Sequence, residues 1–308
     1  MSAEMLVSLL LTTMTAATPL LLAALGELVV ERSGVLNLGV EGMMLTGAVS
    51  GFAVMSLTGS PTLAILTAVV AGAALAAIFG FLVLNLMSNQ VATGLALTIF
   101  GTGLSALIGT GFTGHPVPAL TKLPVPGLSA IPLVGRLFDQ DALVYLAIAA
   151  VPAIAWFLKA TRGGLVLRAV GEADLSAHSI GYPVLRIRFL AVLFGGAMAG
   201  LGGAYLSLAY TPMWVENMTA GRGWIALAIV VFAAWRPWRA AGGAYLFGGI
   251  TVLQLYLQGS GLLPIPPQLL SMLPYLGTIL VLTLISSGPF RARFSPPACL
   301  GKPFRPPT

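Results

Sequence analysis

The chain has 308 residues, of which 57% are hydrophobic and only 8% charged, with a formal net charge of +6. A soluble domain carries about 25% charged residues, and a water-facing surface of this make-up would be covered by apolar patches that drive association. A soluble enzyme or a nucleic-acid-binding domain is therefore excluded, and a polytopic membrane protein is implied.

A membrane-spanning helix needs about 20 apolar residues. In chain order, candidate stretches cover residues 5–30, 36–57, 62–86, 91–110, 142–159, 188–210, 223–235, 240–258 and 269–287. All are expected to be helical, because backbone polar groups in lipid must be satisfied within their own segment. The expected fold class is all-α: a polytopic membrane helical bundle of about nine transmembrane segments with at least one broken helix. No basic n-region or A-x-A site marks a cleavable signal, so the first stretch reads as a retained span. The lone Cys299 allows no intramolecular disulfide.

Several stretches carry more than hydrophobicity. In GELVVERSGVLNLGVEG, residues 26–42, Glu27, Glu31, Arg32 and Glu41 interrupt an apolar region. Glu27 and Glu31 share a helix face. Gly34 and Gly39 flank Asn37 and are expected to break the helix, with Glu41 at the start of the next one, where a carboxylate meets the positive end of the helix dipole. A broken helix at membrane depth must be buried or line a watery cavity, and an ionisable residue there points to function. The competing reading makes 31–35 a loop with solvated charges. GxxxG pairs at Gly47/Gly51 and Gly196/Gly200 predict close helix packing, within the subunit or between subunits.

The proline-rich loop 111–141 is expected to be extended and to hold little regular structure. The loop 161–188 is too long for a minimal connector. Its segment Glu172–Ser179, set between Gly171 and Gly181, reads as a short helix presented to a soluble partner or resting on headgroups. The seventh stretch, WIALAIVVFAAW, is short for a crossing and lies between Arg222 and Arg236, so it is tilted or packed inside the bundle. Trp224, Trp235 and Trp238 read as an aromatic belt. The tail 291–308, rich in proline and basic residues, is expected to be disordered, which leaves 1–290 as the membrane domain.

Basic residues orient the bundle. Lys159, Arg162, Arg168, Arg186 and Arg188, then Arg236 and Arg239, then Arg291, Arg293, Lys302 and Arg305 fall on one side if nine crossings are counted. That side is expected to be cytoplasmic, with the N-terminus outside and the C-terminus inside. No P-loop, HExxH, CxxC or GxSxG is present, and His115 and His178 fall in loops on opposite faces. No enzyme activity, metal site or cofactor is expected.

Four stretches resemble the membrane subunits of bacterial ABC importers, in the branched-chain amino acid and simple-sugar permease family, most closely its nucleoside-type branch. The pattern E-x-SGVLN-x-G-x-EGMML-x-GA is matched by ERSGVLNLGVEGMMLTGA, and TR-x-G-x-x-LRAVGE by TRGGLVLRAVGE. MTAGRGWIALA and PIPPQLLSMLPY match two more, so the likeness runs from about residue 10 to 287. The resemblance implies a permease that moves nucleosides or related ribosides inward by alternating access. Its implied partners are a second permease subunit, homologous or identical, a cytoplasmic ABC ATPase and an extracytoplasmic substrate-binding lipoprotein, in a bacterial cell (inner) membrane.

It further implies a translocation pathway along Asn37, Glu41, Glu31, Thr46 and Thr98. An ATPase-coupling helix would be built from Gly171, Glu172, Ala173, Asp174, Leu175, Ser176, Ala177, His178 and Gly181. The binding protein would dock on Trp214, Glu216, Asn217 and Arg222. Two departures stand out. Ala173-Asp174 replaces the usual Asn-Pro of GENP, and Ala233-Ala234 replaces the usual Gly-Arg. The alternatives are a permease for a simple sugar or other small polar solute and, in another class, an ion-coupled carrier using Glu27, Glu31 and Glu41 as a proton relay.

Overall fold

The apolar stretches fold as helices whose ends fall at residues that start or stop helices. The structure, a computed structural model, describes residues 3–132, 134–260, 266–286 and 296–305. Its helices are α1 (Ala3–Arg32), α2 (Val40–Thr58), α3 (Pro61–Gly80), α4 (Gln90–Gly109), α5 (Ala142–Ala160) and α6 (Arg162–Glu172). There follow α7 (Asp174–Ser179), α8 (Val184–Tyr205), α9 (Arg222–Phe232), α10 (Pro237–Ser260), α11 (Pro267–Leu270) and α12 (Leu273–Ser286). Side chains of Asn89, Asp141 and Thr161 accept backbone N–H bonds at the starts of α4, α5 and α6, and Pro61 opens α3. Single π-helical turns, Phe81–Asn85 and Leu206–Tyr210, extend α3 and α8.

Among the described residues, seven helices are long and apolar enough to cross a membrane: α1 to α5, α8 and α10, the third, fourth and eighth with their short extensions. The other two expected stretches are the shorter apolar helices Arg222–Phe232 and Gln268–Leu280. The 11 residues of α9 rise only about 16 Å, roughly half of a hydrocarbon core of about 30 Å.

Packing centres on α8, which lies against α1, α2 and α3. Small residues make this possible. A Cβ on Gly200 would lie 2.2 Å from Ala68 O, one on Gly47 2.5 Å from Gly200 Cα, and one on Gly203 1.9 Å from Met44 O. Both GxxxG pairs thus make contacts within the subunit. The blocking atoms are backbone and cannot rotate away. Gly200→Ala is expected to force α3 and α8 apart, at a cost of about 1–3 kcal/mol, read as a lower unfolding temperature in detergent.

One face of the bundle carries the loop 110–141. Its regular structure is short: β1 (Lys122–Pro124) pairs antiparallel with β2 (Asp139–Asp141). It is pinned by Val117 N–H to Pro212 O and Leu120 N–H to Leu208 O. The opposite face carries the end of α1, the pair α6–α7, the turn from α9 to α10, and residues 296–305.

That last segment corrects the expected disordered tail over its described part. Cys299 N–H donates to Gly171 O and Gly301 N–H to Gly34 O, and the ring of Phe304, 5% exposed, packs on Val170, Ala177 and Val184. A polar, proline-rich composition signals disorder only where no apolar anchor finds a pocket. Residues 291–295 and 306–308 lie outside the described residues.

Candidate functional site

The helix breaks over residues 33–39, where the glycines predicted it. A non-helical backbone inside a membrane needs partners for its polar groups, and side chains supply them. Leu36 N–H donates to Gln90 Oε1 at 2.8 Å, Asn37 N–H to Glu27 Oε1 at 3.1 Å, and Gly39 N–H to Asn37 Oδ1 at 2.9 Å. The Thr98 hydroxyl donates to Leu38 O at 3.0 Å. Gly94 gives the broken segment room on α4: a Cβ there would lie 2.8 Å from Leu38 N.

Beyond the break, Glu41 accepts three bonds at the start of α9. The donors are the Thr219 hydroxyl at 2.5 Å, Gly221 N–H at 2.8 Å and Gly223 N–H at 2.6 Å. The two N–H groups are orphan donors of a helix N-terminus, and a carboxylate suits both them and the dipole. Gly221 has φ 82°, the left-handed region that favours glycine. Gly223 leaves room for Glu41, whose Cα a Cβ would approach to 2.6 Å. The stretches EGMML and TAGRG are therefore two sides of one clasp.

At the far end of α9, Trp235 Nε1 donates to Glu31 Oε2 at 2.5 Å, and Arg32 donates to Trp235 O from Nε and Nη2, each at 3.2 Å. Two carboxylates, ten residues apart on either side of the break, hold the two ends of one half-length helix.

This geometry answers why acids sit in an apolar region. Glu31, Asn37, Glu41, Thr46 and Thr98, expected along a pathway, are all buried, at 9% exposure or less. The Thr46 hydroxyl donates to Gly42 O. The five sit inside the wall of the bundle and bond to it. The solvated-loop reading of Glu31 fails for the same reason. Trp235, 4% exposed, is a clasp residue and not part of a belt, whereas Trp238 is 62% exposed.

A cavity of about 310 Å³ does open beside the start of α9, between α10 and α12; Ile225, Leu255 and Pro274 make much of its wall apolar, and Arg222, Thr251, Gln254, Ser271 and Tyr275 add polar groups. The sequence singles out Arg222 by number and carries Ser271 and Tyr275 inside the PIPPQLLSMLPY motif, but Thr251 and Gln254, on a separate helix, belong to no motif.

The expected single helix from Glu172 is two helices. α6 ends at Glu172, and Ala173 (φ −150°, ψ 76°) turns the chain into α7. Gly171 lies under the end of α1, where a Cβ would be 2.2 Å from Arg32 O. Glu172 is 3.9 Å from Arg32 and accepts Ala298 N–H. Asp174 accepts from Arg188 Nη2 at 3.0 Å. Arg188, fully buried, also donates to Ser33 O and Lys302 O and lies over the Phe304 ring.

His178 meets the edge of that ring, and Ala177 faces the core. Leu175, at 56% exposure, and Ile180, at 74%, point away with Ser176 and the left-handed Gly181. Sequence reasoning listed Arg188 only as a loop cation. Its place at the head of an apolar span was the available signal.

On the other face Trp214 is 2% exposed, stacked where a Cβ of Gly109 would be. Burial takes it out of the expected docking surface. Arg222 donates to Met218 O and Thr219 O and lies over Tyr210, so its guanidinium is committed inside the chain. Glu216 and Asn217 are exposed, beside Met213 and Val215, which the sequence did not single out.

The family model for the permease component of branched-chain amino acid transport systems matches residues 9–282. The chain belongs to that family. TsgC13 of Haloferax volcanii, which bears the name of a glucose ABC transporter permease, is 45% identical to it over 89% of this chain and 90% of the relative. NupQ of Bacillus subtilis, a guanosine ABC transporter permease, is 33% identical over 88% and 89%. NupC of Lactococcus lactis subsp. cremoris, a nucleoside ABC transporter permease, is 34% identical over 87% and 89%. The chain is thus an ABC transporter permease, a multi-pass cell membrane protein and a transport subunit in place of an enzyme. Membership sets aside the ion-coupled carrier.

Proposed function

We propose that this permease is one membrane half of an ATP-driven importer for a neutral polyhydroxylated solute. A second permease subunit, homologous or identical, pairs with it, an ABC ATPase binds its basic face, and a substrate-binding lipoprotein delivers the solute to the other. Nine crossings, counting α9 and α12, put that basic face in the cytoplasm, with the N-terminus outside and residues 1–290 as the permease domain. Nucleosides or related ribosides remain the first reading, which the guanosine and nucleoside relatives support. A simple sugar is the second, supported by the relative named for glucose. A hexose and a ribosyl group share hydroxyls that can donate to the Thr251, Ser271 and Tyr275 oxygens, whose own protons go to Phe247 O, Gln268 O and Ala220 O, and that can pair with the Gln254 amide.

The observation that carries the coupling reading is the α6–α7 pair. It presents Leu175 and Ile180 outward while Asp174, Gly171 and Arg188 tie it to the end of α1. Motion of α7 would pass through Ser33 and Arg32 to Trp235 at one end of α9, and through the broken segment to Glu41 at the other. In this reading the five buried residues expected along the pathway position α9, and the cavity beside the start of α9 touches the solute.

The test is a gentle detergent pull-down of the tagged full chain with its transport partners. Wild type is expected to bring down an ABC ATPase and a lipoprotein, and guanosine and glucose titrated into that lipoprotein distinguish the solutes. L175D/I180D removes two apolar contacts worth about 1.5–3 kcal/mol each. It should reach the membrane normally and lose at least tenfold in ATPase recovery and uptake. Full recovery of the ATPase with that variant would remove α7 from the coupling role.

A further inference from the structure

On the face that carries α6–α7, a cavity of about 490 Å³ opens between the ends of α1 and α5, the middle of α6 and the turn from α9 into α10. Five cationic side chains line it, Arg32, Lys159, Arg168, Arg236 and Arg239, and no carboxylate among the described residues does. Arg32 forms an ion pair with Glu172, 3.9 Å away and 53% exposed, and the Glu31 carboxylate lies behind the wall, bonded to Trp235 Nε1. Such a concentration of one sign is unfavourable without a counter-charge. Moreover, Arg168 Nε is buried and has no hydrogen-bond partner among the described residues. A buried donor left unpaired costs about 1–3 kcal/mol, so the cavity is short of an acceptor at Arg168. α10 begins at Pro237 on the cavity wall, which adds the positive end of a helix dipole.

We infer that this cavity binds the phosphate headgroup of an anionic phospholipid. Guanidinium groups match phosphate oxygens in geometry and charge. The remaining wall decides between a lipid and a free anion. Ala155, Leu158 and Trp235 make it apolar on one side, and Trp238, 62% exposed, stands at the rim, where tryptophan anchors to headgroups. A basic pocket between membrane helices on the cytoplasmic side suits an anionic headgroup. The inference rests on the orientation proposed above for the placement in the cytoplasmic leaflet; the charge, the unpaired donor and the apolar wall stand without it. The lipid would touch Trp235 and Arg32, the residues that hold the lower end of α9, so anionic lipid would steady the half-helix on which the transport reading depends.

Native mass spectrometry of the purified full chain, with phosphatidylglycerol and phosphatidylcholine offered in equal amounts, tests the site. Wild type should retain phosphatidylglycerol selectively, and that lipid should raise its unfolding temperature. R168Q/R236Q removes two basic contacts and should weaken retention roughly 30-fold and abolish the thermal shift, while R168K/R236K restores most of both. Arg186 is exposed on the same face and outside the cavity, and R186Q should change neither. Arg236 is also exposed, so R236Q alone serves should the double variant fail to fold.

Equal retention by R168Q/R236Q overturns the site, and so does an equal loss in R186Q. Competition by millimolar inorganic phosphate as effective as by the lipid would make this a free-anion site. Lipid retention that survives while ATPase recovery falls would make it a protein-docking surface. Lipid retention and the thermal shift are independent of transport, so loss of the importer reading would leave them intact.

Discussion

Glu41→Ala should destabilise the permease by roughly 4 kcal/mol or more and abolish uptake. The side chain accepts three hydrogen bonds from the start of α9. Bonds to a charged acceptor contribute about 1.5–3 kcal/mol each, and a buried donor left unpaired costs a comparable amount. Water cannot replace the carboxylate freely, because Glu41 is 4% exposed. Glu41→Gln keeps the length but turns one oxygen into a donor, which then faces a backbone N–H. It should unfold at a temperature between those of wild type and Glu41→Ala.

Glu41→Asp should also weaken the clasp, since one methylene less withdraws both oxygens from groups now 2.5–2.8 Å away. Thermal unfolding in detergent, paired with uptake at several pH values, checks all three. A relay residue would give a stable protein whose Glu41→Gln variant loses the pH dependence of uptake. A clasp residue gives unstable variants whose residual uptake keeps the wild-type pH profile.

How far the sequence reached can be judged from this clasp. Hydropathy showed the long spans, because a window of apolar residues reports on solvent directly. Gly34 and Gly39 marked the break because backbone freedom is a local property. Glu41 stands out in the sequence for being ionisable in an apolar run, but its bonding partners do not. The partner is Gly221–Gly223, about 180 residues away, and no local pattern reports a contact at that separation. Trp235 bonds Glu31 across 204 residues and so read as a belt residue. The tail was misjudged for a related reason: Phe304 orders it through a pocket made by α6, α7 and α8, which composition alone does not display. The cavity at Gln254 does not show in the sequence because its walls come from three separate helices, although Ser271 and Tyr275 fall in the PIPPQLLSMLPY motif.

The second large effect is expected at Asp174, one of the two positions where GEAD departs from the GENP of the resembling family. Its carboxylate is the acidic partner of Arg188, whose side chain is fully buried. Asp174→Ala leaves that guanidinium with carbonyl acceptors alone, Ser33 O and Lys302 O. Removing one member of a buried pair costs about 3–5 kcal/mol, and here the loss would loosen α7 from α1 as well. ATPase activity should then run without uptake, or the subunits should separate in detergent.

The combination D174A/R188M separates the pair from the rest of the fold. Methionine fills much of the arginine volume and removes the stranded charge, so the double variant should be more stable than D174A. Restoring the family pattern with A173N/D174P supplies a further control. Position 174 is the first residue of α7, where proline fits a helix start, but proline offers no carboxylate. That variant should match D174A in stability and regain stability when R188M is added. If D174A unfolds like wild type, the Asp174–Arg188 pair contributes nothing to the platform, and α7 must be held by Phe304 and Gly171 instead.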